Sequence, residues 1–175
     1  SVNEVEKAAK CVDIIQIPAF LCRQSELIQA AAKTGKHVNI KKGQFLSAQS
    51  MQFAVEKIKD SGNTNIILTE RGTMFGYNDL IVDYRSVPIM KSYGYPVVLD
   101  VTHSLQEPNS ILGLTGGKPK LIETIAKAGV AIGIDGIFLE THFSPNDSKS
   151  DSKNMLDIKK LEDLLIKLLR IRKSI

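Results

Sequence analysis

The chain contains no tryptophan, few aromatic residues and only two cysteines. Aromatic residues make up 6% of its 175 positions. Cys11 and Cys22 are too few for a structural zinc cluster, and they flank a predicted strand that would hold them apart, so no disulfide is expected. We expect both to be reduced packing residues. No aromatic residues are interleaved with basic ones, so we expect no nucleic-acid partner.

Long hydrophobic runs are also missing. No apolar segment approaches the roughly 20 residues that a membrane span needs, and residues 1–6 lack the basic and apolar regions of a secretory signal. We therefore expect a cytoplasmic protein with no membrane partner. The net charge is +4, and much of the excess falls at 159–160 and 170–173, beside apolar residues at helical spacing. That pattern is typical of the solvated face of a helix.

The chain does contain five apolar, β-rich stretches that each end in polar residues. The stretches are 13–20, 37–42, 65–71, 97–103 and 136–142. Each is separated from the next by enough chain for a loop and a helix, which predicts an α/β fold with a parallel sheet. In that architecture functional residues gather at the C-terminal ends of the strands.

Helix signals lie between these stretches. Ser47 can cap a helix that ends near 60–63, and Pro119 can open one that runs to 133. Further helices are expected at 2–10, 26–33, 88–93 and near the C-terminus. The segments 72–86 and 104–118 are long for loops of a compact domain, which favours a functional role.

Four strand-end side chains carry the chemistry. Because residues two apart on a strand share a face, we expect Lys41, Arg71, His103 and Glu140 to converge if the sheet is curved. Lys and Arg suit a phosphorylated, carboxylated substrate, and His with Glu suits metal ligation or proton transfer. Each residue alone also fits a solvated charge or a hydrogen-bonded packing residue. Their coincidence favours an anion-binding α/β enzyme.

Five motifs, in order along the chain, resemble one enzyme family. They read Ile17-Pro-Ala-Phe-Leu-Cys-Arg-Gln24, Val38-Asn-Ile-Lys-Lys-Gly-Gln-Phe45, Thr69-Glu-Arg-Gly72 with Phe75-Gly-Tyr77, Asp100-Val-Thr-His-Ser-Leu-Gln106, and Gly136-Ile-Phe-Leu-Glu-Thr-His142. As a set they resemble the 3-deoxy-D-manno-octulosonate 8-phosphate synthases, enzymes of lipopolysaccharide biosynthesis. The resemblance covers nearly the whole chain.

The resemblance implies a (β/α)8 TIM barrel. The five stretches would be its fourth to eighth strands, so residues 1–175 would form a single incomplete domain without the first three strands. It also implies a cytoplasmic homotetramer.

For the chemistry, the resemblance implies condensation of phosphoenolpyruvate with D-arabinose 5-phosphate and water, which releases inorganic phosphate. The implied catalytic residues are Lys41, His103 and Asp151. The implied substrate-binding residues are Ala19, Phe20, Lys41, Gln44, Arg71 and Gln106, with Gln106 near the arabinose phosphate. His103, Glu140 and Asp151 match the ligands of a divalent metal such as Zn, Fe or Mn, which only the metal-dependent members bind.

Two positions depart from the family pattern. Ser152-Lys153 follow Asp151 where Gly-Pro is usual, and Lys118 stands where Arg is common. The sequence leaves the metal-dependent and metal-independent classes open, and the motif gives His142 no role. Two alternatives to this activity also remain: an inactive fragment that only binds or oligomerises, and a sister synthase that uses erythrose 4-phosphate or a mannosamine.

Overall fold

The computed structural model describes residues 1–76, 79–108 and 115–175. The helices of these residues are α1 (Val2–Ala9), α2 (Ser25–Lys33), α3 (Met51–Asp60), α4 (Ser86–Lys91), α5 (Ile122–Ala131) and α6 (Leu161–Arg172). The strands are β1 (Ile14–Ile17), β2 (His37–Lys41), β3 (Ile66–Glu70), β4 (Thr73–Gly76), β5 (Asp79–Ile81), β6 (Val97–Asp100), β7 (Gln106–Glu107), β8 (Gly116–Gly117), β9 (Gly136–Phe138), β10 (Thr141–His142) and β11 (Leu156–Asp157).

The chain forms two compact units. The first unit comprises Ser1–Glu70 and Arg85–Val97, and the second comprises Arg71–Tyr84 and Val98–Ile175.

The first unit is built on three parallel strands. β2 pairs with β1 on one side and β3 on the other, with Ile40 in register with both Ile17 and Leu68. All residues of β2 after His37 are buried, as expected of a parallel strand covered on both faces. The inner faces of α2 and α3 complete this core; their buried residues are Leu27, Ile28, Ala31, Ala32, Met51, Ala54, Val55 and Ile58.

The second unit contains another parallel pair and three short ribbons. Residues 98–100 of β6 pair with β9. The ribbons are β4 with β5 and β7 with β8, both antiparallel, and β10 with β11, which is parallel. Leu99 is fully buried, and its side chain lies so close to Gly129 of α5 that a Cβ there would come within 2.4 Å. The absence of a side chain at Gly129 therefore lets the helix approach the strand closely.

The sequence predictions of secondary structure are largely confirmed. Each of the five stretches contains a strand, and α1, α2, α5 and α6 lie where the patterns place them. α3 begins at Met51 rather than at Ser47, whose hydroxyl accepts from the amide of Ser50 in the preceding turn. α4 covers Ser86–Lys91, slightly earlier than expected. The basic residues near the C-terminus are exposed.

The expectation that His103 and Glu140 continue their strands is wrong. β6 ends at Asp100, and His103 begins a short 3-10 helix. The carboxylate of Asp100 accepts hydrogen bonds from the amides of Thr102 and His103, which turns the chain out of the sheet. β9 ends at Phe138, two residues before Glu140. The alternation of strand faces therefore does not orient these two side chains.

The two cysteines are free, but only one is a packing residue. Cys22 is buried, and burial raises the pKa of its thiol. Cys11 is exposed, so the expectation that both pack in the core is wrong for Cys11.

Two sequence predictions fall partly on undescribed positions. Tyr77 of the 75–77 motif and residues 109–114 of the 104–118 loop lie outside the described residues. Within the described ranges, no helix is both long and apolar enough to cross a bilayer.

Candidate active site

His103 is held in one orientation by Asp100. The Nδ1 atom of His103 lies 2.8 Å from Oδ2 of Asp100, which is fully buried. Because a carboxylate only accepts, Nδ1 carries a proton, which leaves Nε2 as the ring nitrogen that can bind a ligand. The ring also lies beside Phe138, with centroids 5.6 Å apart. The imidazole is therefore fixed with Nε2 directed away from Asp100.

Nε2 of His103 faces two carboxylates. It lies 3.4 Å from Oε1 of Glu140, and one ligand atom each of His103, Glu140 and Asp151 lie within 4.8 Å of one another. All three side chains are partly buried. One imidazole nitrogen and two carboxylate oxygens form a donor set suited to a divalent transition metal.

Short backbone contacts bring these residues together from distant parts of the chain. The amide of Glu140 donates to the hydroxyl of Thr102 at 2.8 Å, which joins the loops that follow β9 and β6. The carbonyl of Glu140 accepts from the amide of Leu156 at 3.0 Å, where the β10–β11 ribbon begins. This ribbon brings the segment that carries Asp151 beside Glu140.

The donor set fits a bound metal. Metal-binding histidines commonly donate their other ring nitrogen to a carboxylate, which fixes the tautomer and raises the basicity of the ligand. Asp100 makes this contact with His103 here. A metal at this site would be held by His103, Glu140 and Asp151, as the sequence motifs imply.

Arg71 and Gln106 extend the cluster. The guanidinium of Arg71 donates from Nη2 to Oε1 of Gln106 at 2.7 Å. The amide nitrogen of Gln106 donates to Oδ1 of Asp151, also at 2.7 Å. Arg71 is 5% exposed, so its charge is largely removed from water. In the second unit, the amide of Gln106 thus joins the cation of Arg71 to Asp151, a metal-ligand candidate.

Lys118 forms a separate charged contact in the same unit. Its ammonium group donates to both carboxylate oxygens of Asp79, at 2.8 and 2.7 Å, and lies 3.4 Å from Oε1 of Glu107. The hydrogen bond to Asp79 raises the pKa of Lys118. Because the side chains of Lys118 and Asp79 are each 38% exposed, the contact ties loops together more than it stabilises the fold.

The remaining predicted site residues lie in the first unit. Lys41 ends β2 and is buried, and Gln44 follows it, only 3% exposed. Among the described residues, Oε1 of Gln44 has no hydrogen-bond partner. Ala19 and Phe20 lie in a 3-10 helix, the first buried and the second 75% exposed. The exposed ring of Phe20 and the buried side-chain amide of Gln44 are consistent with the substrate contacts that the motifs imply. The roles of these residues stay predictions.

A buried ion pair of the first unit was missed by sequence reasoning. Nζ of Lys42 lies 3.5 Å from Oε1 of Glu70, and both side chains are fully buried. Lys42 also donates to the carbonyl of Leu46 at 3.2 Å. Charged residues are seldom fully buried unless they are paired. The sequence signal for this ion pair was the presence of basic residues at the end of one strand, Lys41 and Lys42, and of an acid, Glu70, at the end of the next.

Two hydrogen-bonding residues of the second unit were also missed. Asp100 was read as part of a strand, although an acidic residue three positions before a histidine could have signalled a turn that orients the ring. The amide of Asn154 donates to the carbonyl of Gly116 at 3.1 Å. No local pattern indicates this contact between residues so far apart in sequence.

Comparison with known proteins identifies the family. Residues 1–175 match the DAHP synthetase I family. The chain belongs to that family. Within the DAHP synthetase I family, it is similar to proteins named 2-dehydro-3-deoxyphosphooctonate aldolase. The Trichlorobacter lovleyi relative is 54% identical over 96% of this chain and 62% of its own length.

Other relatives carry the same name, 2-dehydro-3-deoxyphosphooctonate aldolase. The relative from Koribacter versatilis is 49% identical over 99% of this chain and 63% of its own length. That from Desulfotalea psychrophila is 47% identical over 99% of this chain and 62% of its own length. The chain thus spans about three fifths of the length of the relatives that it matches.

Proposed function

We propose that the protein carrying these residues condenses phosphoenolpyruvate with D-arabinose 5-phosphate and water to give 3-deoxy-D-manno-octulosonate 8-phosphate and inorganic phosphate. The single observation that carries the proposal is the cluster of Arg71, Gln106, His103, Glu140 and Asp151 in the second unit. Such a cluster combines a buried cation with a donor set for a divalent ion. The names of the relatives support the choice of substrates.

The carbon count of those names supports a five-carbon acceptor. A 3-deoxyoctonate skeleton has eight carbons, and phosphoenolpyruvate supplies three of them. The remaining five match a pentose phosphate. In the proposed reaction, C3 of phosphoenolpyruvate forms a bond to the aldehyde carbon, water adds at C2, and phosphate leaves by cleavage of its bond to C2.

The cationic side chains bind the anionic reactant. Phosphoenolpyruvate carries a carboxylate and a phosphate, and a guanidinium can bind either group through two parallel hydrogen bonds. We assign this role to Arg71, with Lys41 as a compact second charge. Both are buried, so their attraction to an anion is stronger than it would be in water. Gln44, the backbone of Ala19 and the ring of Phe20 are proposed to line the same substrate.

The cluster of His103, Glu140 and Asp151 is proposed to act on the aldehyde and the water. A divalent ion bound there would polarise a carbonyl oxygen or acidify a water molecule. His103, fixed by Asp100, would hold its ring nitrogen in place without reorganisation during the reaction. Glu140 and Asp151 would supply negative charge to balance such an ion. Gln106 is proposed to lie near the arabinose phosphate, and its hydrogen bonds to Arg71 and Asp151 support a position beside the cluster.

A second activity has a specific observation in its favour. The description of the matched family names DAHP synthetase, whose acceptor would be the four-carbon erythrose 4-phosphate. The relatives that are about 50% identical to this chain are named for an eight-carbon product, 2-dehydro-3-deoxyphosphooctonate. We therefore place the pentose phosphate first and the tetrose phosphate second.

A phosphate-release assay tests both. The full-length protein that contains these residues is incubated with phosphoenolpyruvate and, separately, arabinose 5-phosphate, erythrose 4-phosphate or N-acetylmannosamine. We expect phosphate release with arabinose 5-phosphate at a kcat/KM at least about tenfold above the others, since an unfilled polar subsite costs more than 1.4 kcal/mol. Release only with erythrose 4-phosphate would favour the sister activity, and no release with any acceptor would favour an inactive binding module.

The finer architecture belongs to the same proposal. We propose a (β/α)8 barrel in a single domain, with β1, β2, β3, β6 and β9 as its fourth to eighth strands, in a cytoplasmic homotetramer. The parallel pairing within each unit supports it. Size-exclusion chromatography with light scattering measures the assembly: a mass of four subunits is expected, and a monomer would contradict it.

A further inference from the structure

The side chain of Gln106 lies between two charged groups that are far apart in sequence. Its amide oxygen accepts from Arg71, and its amide nitrogen donates to Asp151, each at 2.7 Å. A guanidinium only donates and a carboxylate only accepts, so the two partners fix the orientation of the amide. A glutamate here would repel Asp151, and a lysine would repel Arg71. An uncharged amide satisfies both partners at once.

Asp151 adopts a backbone conformation that needs support. Its φ angle is 50°, the only positive value at a described non-glycine residue. This left-handed region is unfavourable for L-residues, although aspartate tolerates it better than most, and it persists where the surroundings hold it. The carbonyl of Asp151 accepts from the amide of Asn154 at 2.8 Å. The side-chain bond from Gln106 adds a second restraint.

The β7–β8 ribbon makes two hydrogen bonds to the segment that carries Asp151, one to Asp151 and one to Asn154. Gln106 of β7 is in register with Gly117 of β8, and Gly116 of the same strand accepts from the side chain of Asn154. A Cβ at Gly117 would come within 1.7 Å of Oδ1 of Asn154. A side chain at this position would displace Asn154, so close packing here requires glycine.

We propose that Gln106 is a positioning residue that sets the carboxylate of Asp151 and couples it to Arg71. The inference rests on the proposed function, in which Asp151 is a metal ligand and Arg71 binds phosphoenolpyruvate. Oδ1 of Asp151 is engaged by the amide, which directs Oδ2 to serve as the ligand. The role differs from the arabinose-phosphate contact that the sequence motif implies for Gln106.

Two variants separate the two hydrogen bonds. Gln106→Met keeps the length of the side chain and removes both bonds. Gln106→Glu keeps an acceptor for Arg71 but places a negative charge against Asp151. Gln52→Met is the matched control, because Gln52 is an exposed glutamine that donates only locally to Glu56.

Limited trypsin digestion of the full-length protein is the main readout. Lys149 and Lys153 are exposed cleavage sites on the segment that carries Asp151. Loss of a hydrogen bond to a charged group should increase local opening, so we expect cleavage there about tenfold faster in both Gln106 variants. Gln52→Met should leave the rate unchanged, and cleavage at the exposed Arg172 and Lys173 is the internal reference.

Metal affinity is the second readout. Competition with a chromophoric chelator for Mn²⁺ should give a Kd about 10–100-fold weaker in both variants, as for other residues that orient a metal ligand. In Gln106→Glu the weakening should be at least as large as in Gln106→Met, which would separate the Asp151 bond from the Arg71 bond.

Unchanged proteolysis at Lys149 and Lys153 in both variants would overturn the proposal. An increase in the KM for arabinose 5-phosphate with unchanged proteolysis would also overturn it, since Gln106 would then be a substrate contact. The digestion requires no turnover, so failure of the proposed function would appear separately, in the phosphate-release assay.

Discussion

The two units carry their charged groups in different ways. In the first unit, Lys41, Lys42 and Glu70 lie at strand ends and are almost completely buried. In the second, His103, Glu140 and Asp151 lie on loops and a 3-10 turn and are partly exposed. The first arrangement uses the rigidity of a parallel sheet, and the second uses hydrogen bonds between loops. We infer that the Lys42–Glu70 pair of the first unit stabilises the fold, whereas the charged groups of the second unit are arranged for ligands.

Removal of the buried acid in the first unit should give the largest loss of stability. Glu70→Ala removes a buried carboxylate that pairs with the buried ammonium of Lys42, which should lower the free energy of unfolding by roughly 3–5 kcal/mol. Urea unfolding measures the change. Glu56→Ala, an exposed acid of the same unit, should cost at most about 0.5 kcal/mol. Equal losses of stability in Glu70→Ala and Glu56→Ala would show that the buried ion pair does not stabilise the first unit more than an exposed charge does.

Arg71→Ala tests whether the second unit uses its cation for ligands. The variant should lose about 1.5–3 kcal/mol in kcat/KM for phosphoenolpyruvate, the contribution of a charged hydrogen bond. Steady-state kinetics on the full-length protein give the value. Wild-type kinetics would show that Arg71 is structural, like the Lys42–Glu70 pair of the first unit.

Asp100→Asn should have a slightly smaller effect. Asparagine can still accept the amides of Thr102 and His103, but it no longer provides a carboxylate for the imidazole. Metal affinity should fall by about 10–100-fold, as measured by chelator competition. Asp157→Asn is the control, because Asp157 also accepts a backbone amide but contacts no histidine through a described bond. A similar affinity for both variants would exclude the orienting role of Asp100.

Tyr84→Phe should give the smallest effect, and it should depend on pH. The hydroxyl of Tyr84 donates to the carbonyl of Ile125, and burial raises its pKa to about 12. The unfolded chain loses this proton near pH 10, so the tyrosine stabilises the fold fully below pH 10 and progressively less up to about pH 12.

The measurement is the urea midpoint of both proteins across this range. The advantage of wild type over Tyr84→Phe, about 0.5–1.5 kcal/mol at neutral pH, should shrink above pH 10. A constant difference would show that the hydroxyl does not remain protonated in the fold.

The sequence predicted the parts of the fold that depend on local pattern. Apolar runs such as 38–41 and 66–70 gave the strands, and Pro119 and the 133 region bounded α5. The role of His103 as a site residue stays a prediction, and its place on a strand was predicted wrongly, because the turn depends on amides that bond to Asp100. Periodicity carries no information about such a turn.

Contacts between distant loops could not be predicted from pattern either. The bond from Gln106 to Asp151 joins residues 45 positions apart. The burial of Lys42 against Glu70 requires two strands in register. In both cases the residue types were visible, while the pairing depends on tertiary packing. The family motifs indicated Asp151 as a site residue. The composition of residues 143–154, which are rich in Ser, Asp, Lys and Asn, predicts only a surface loop.

The most direct test of the central claim compares the two histidines of the second unit. His142 is also partly buried, but it bonds to Ser144 and stacks on Phe143, outside the cluster with Glu140 and Asp151. We predict that His103→Ala lowers kcat/KM for the condensation by about a thousandfold or more, and that His142→Ala stays within about threefold of wild type. Full activity of His103→Ala in a folded protein would contradict the account.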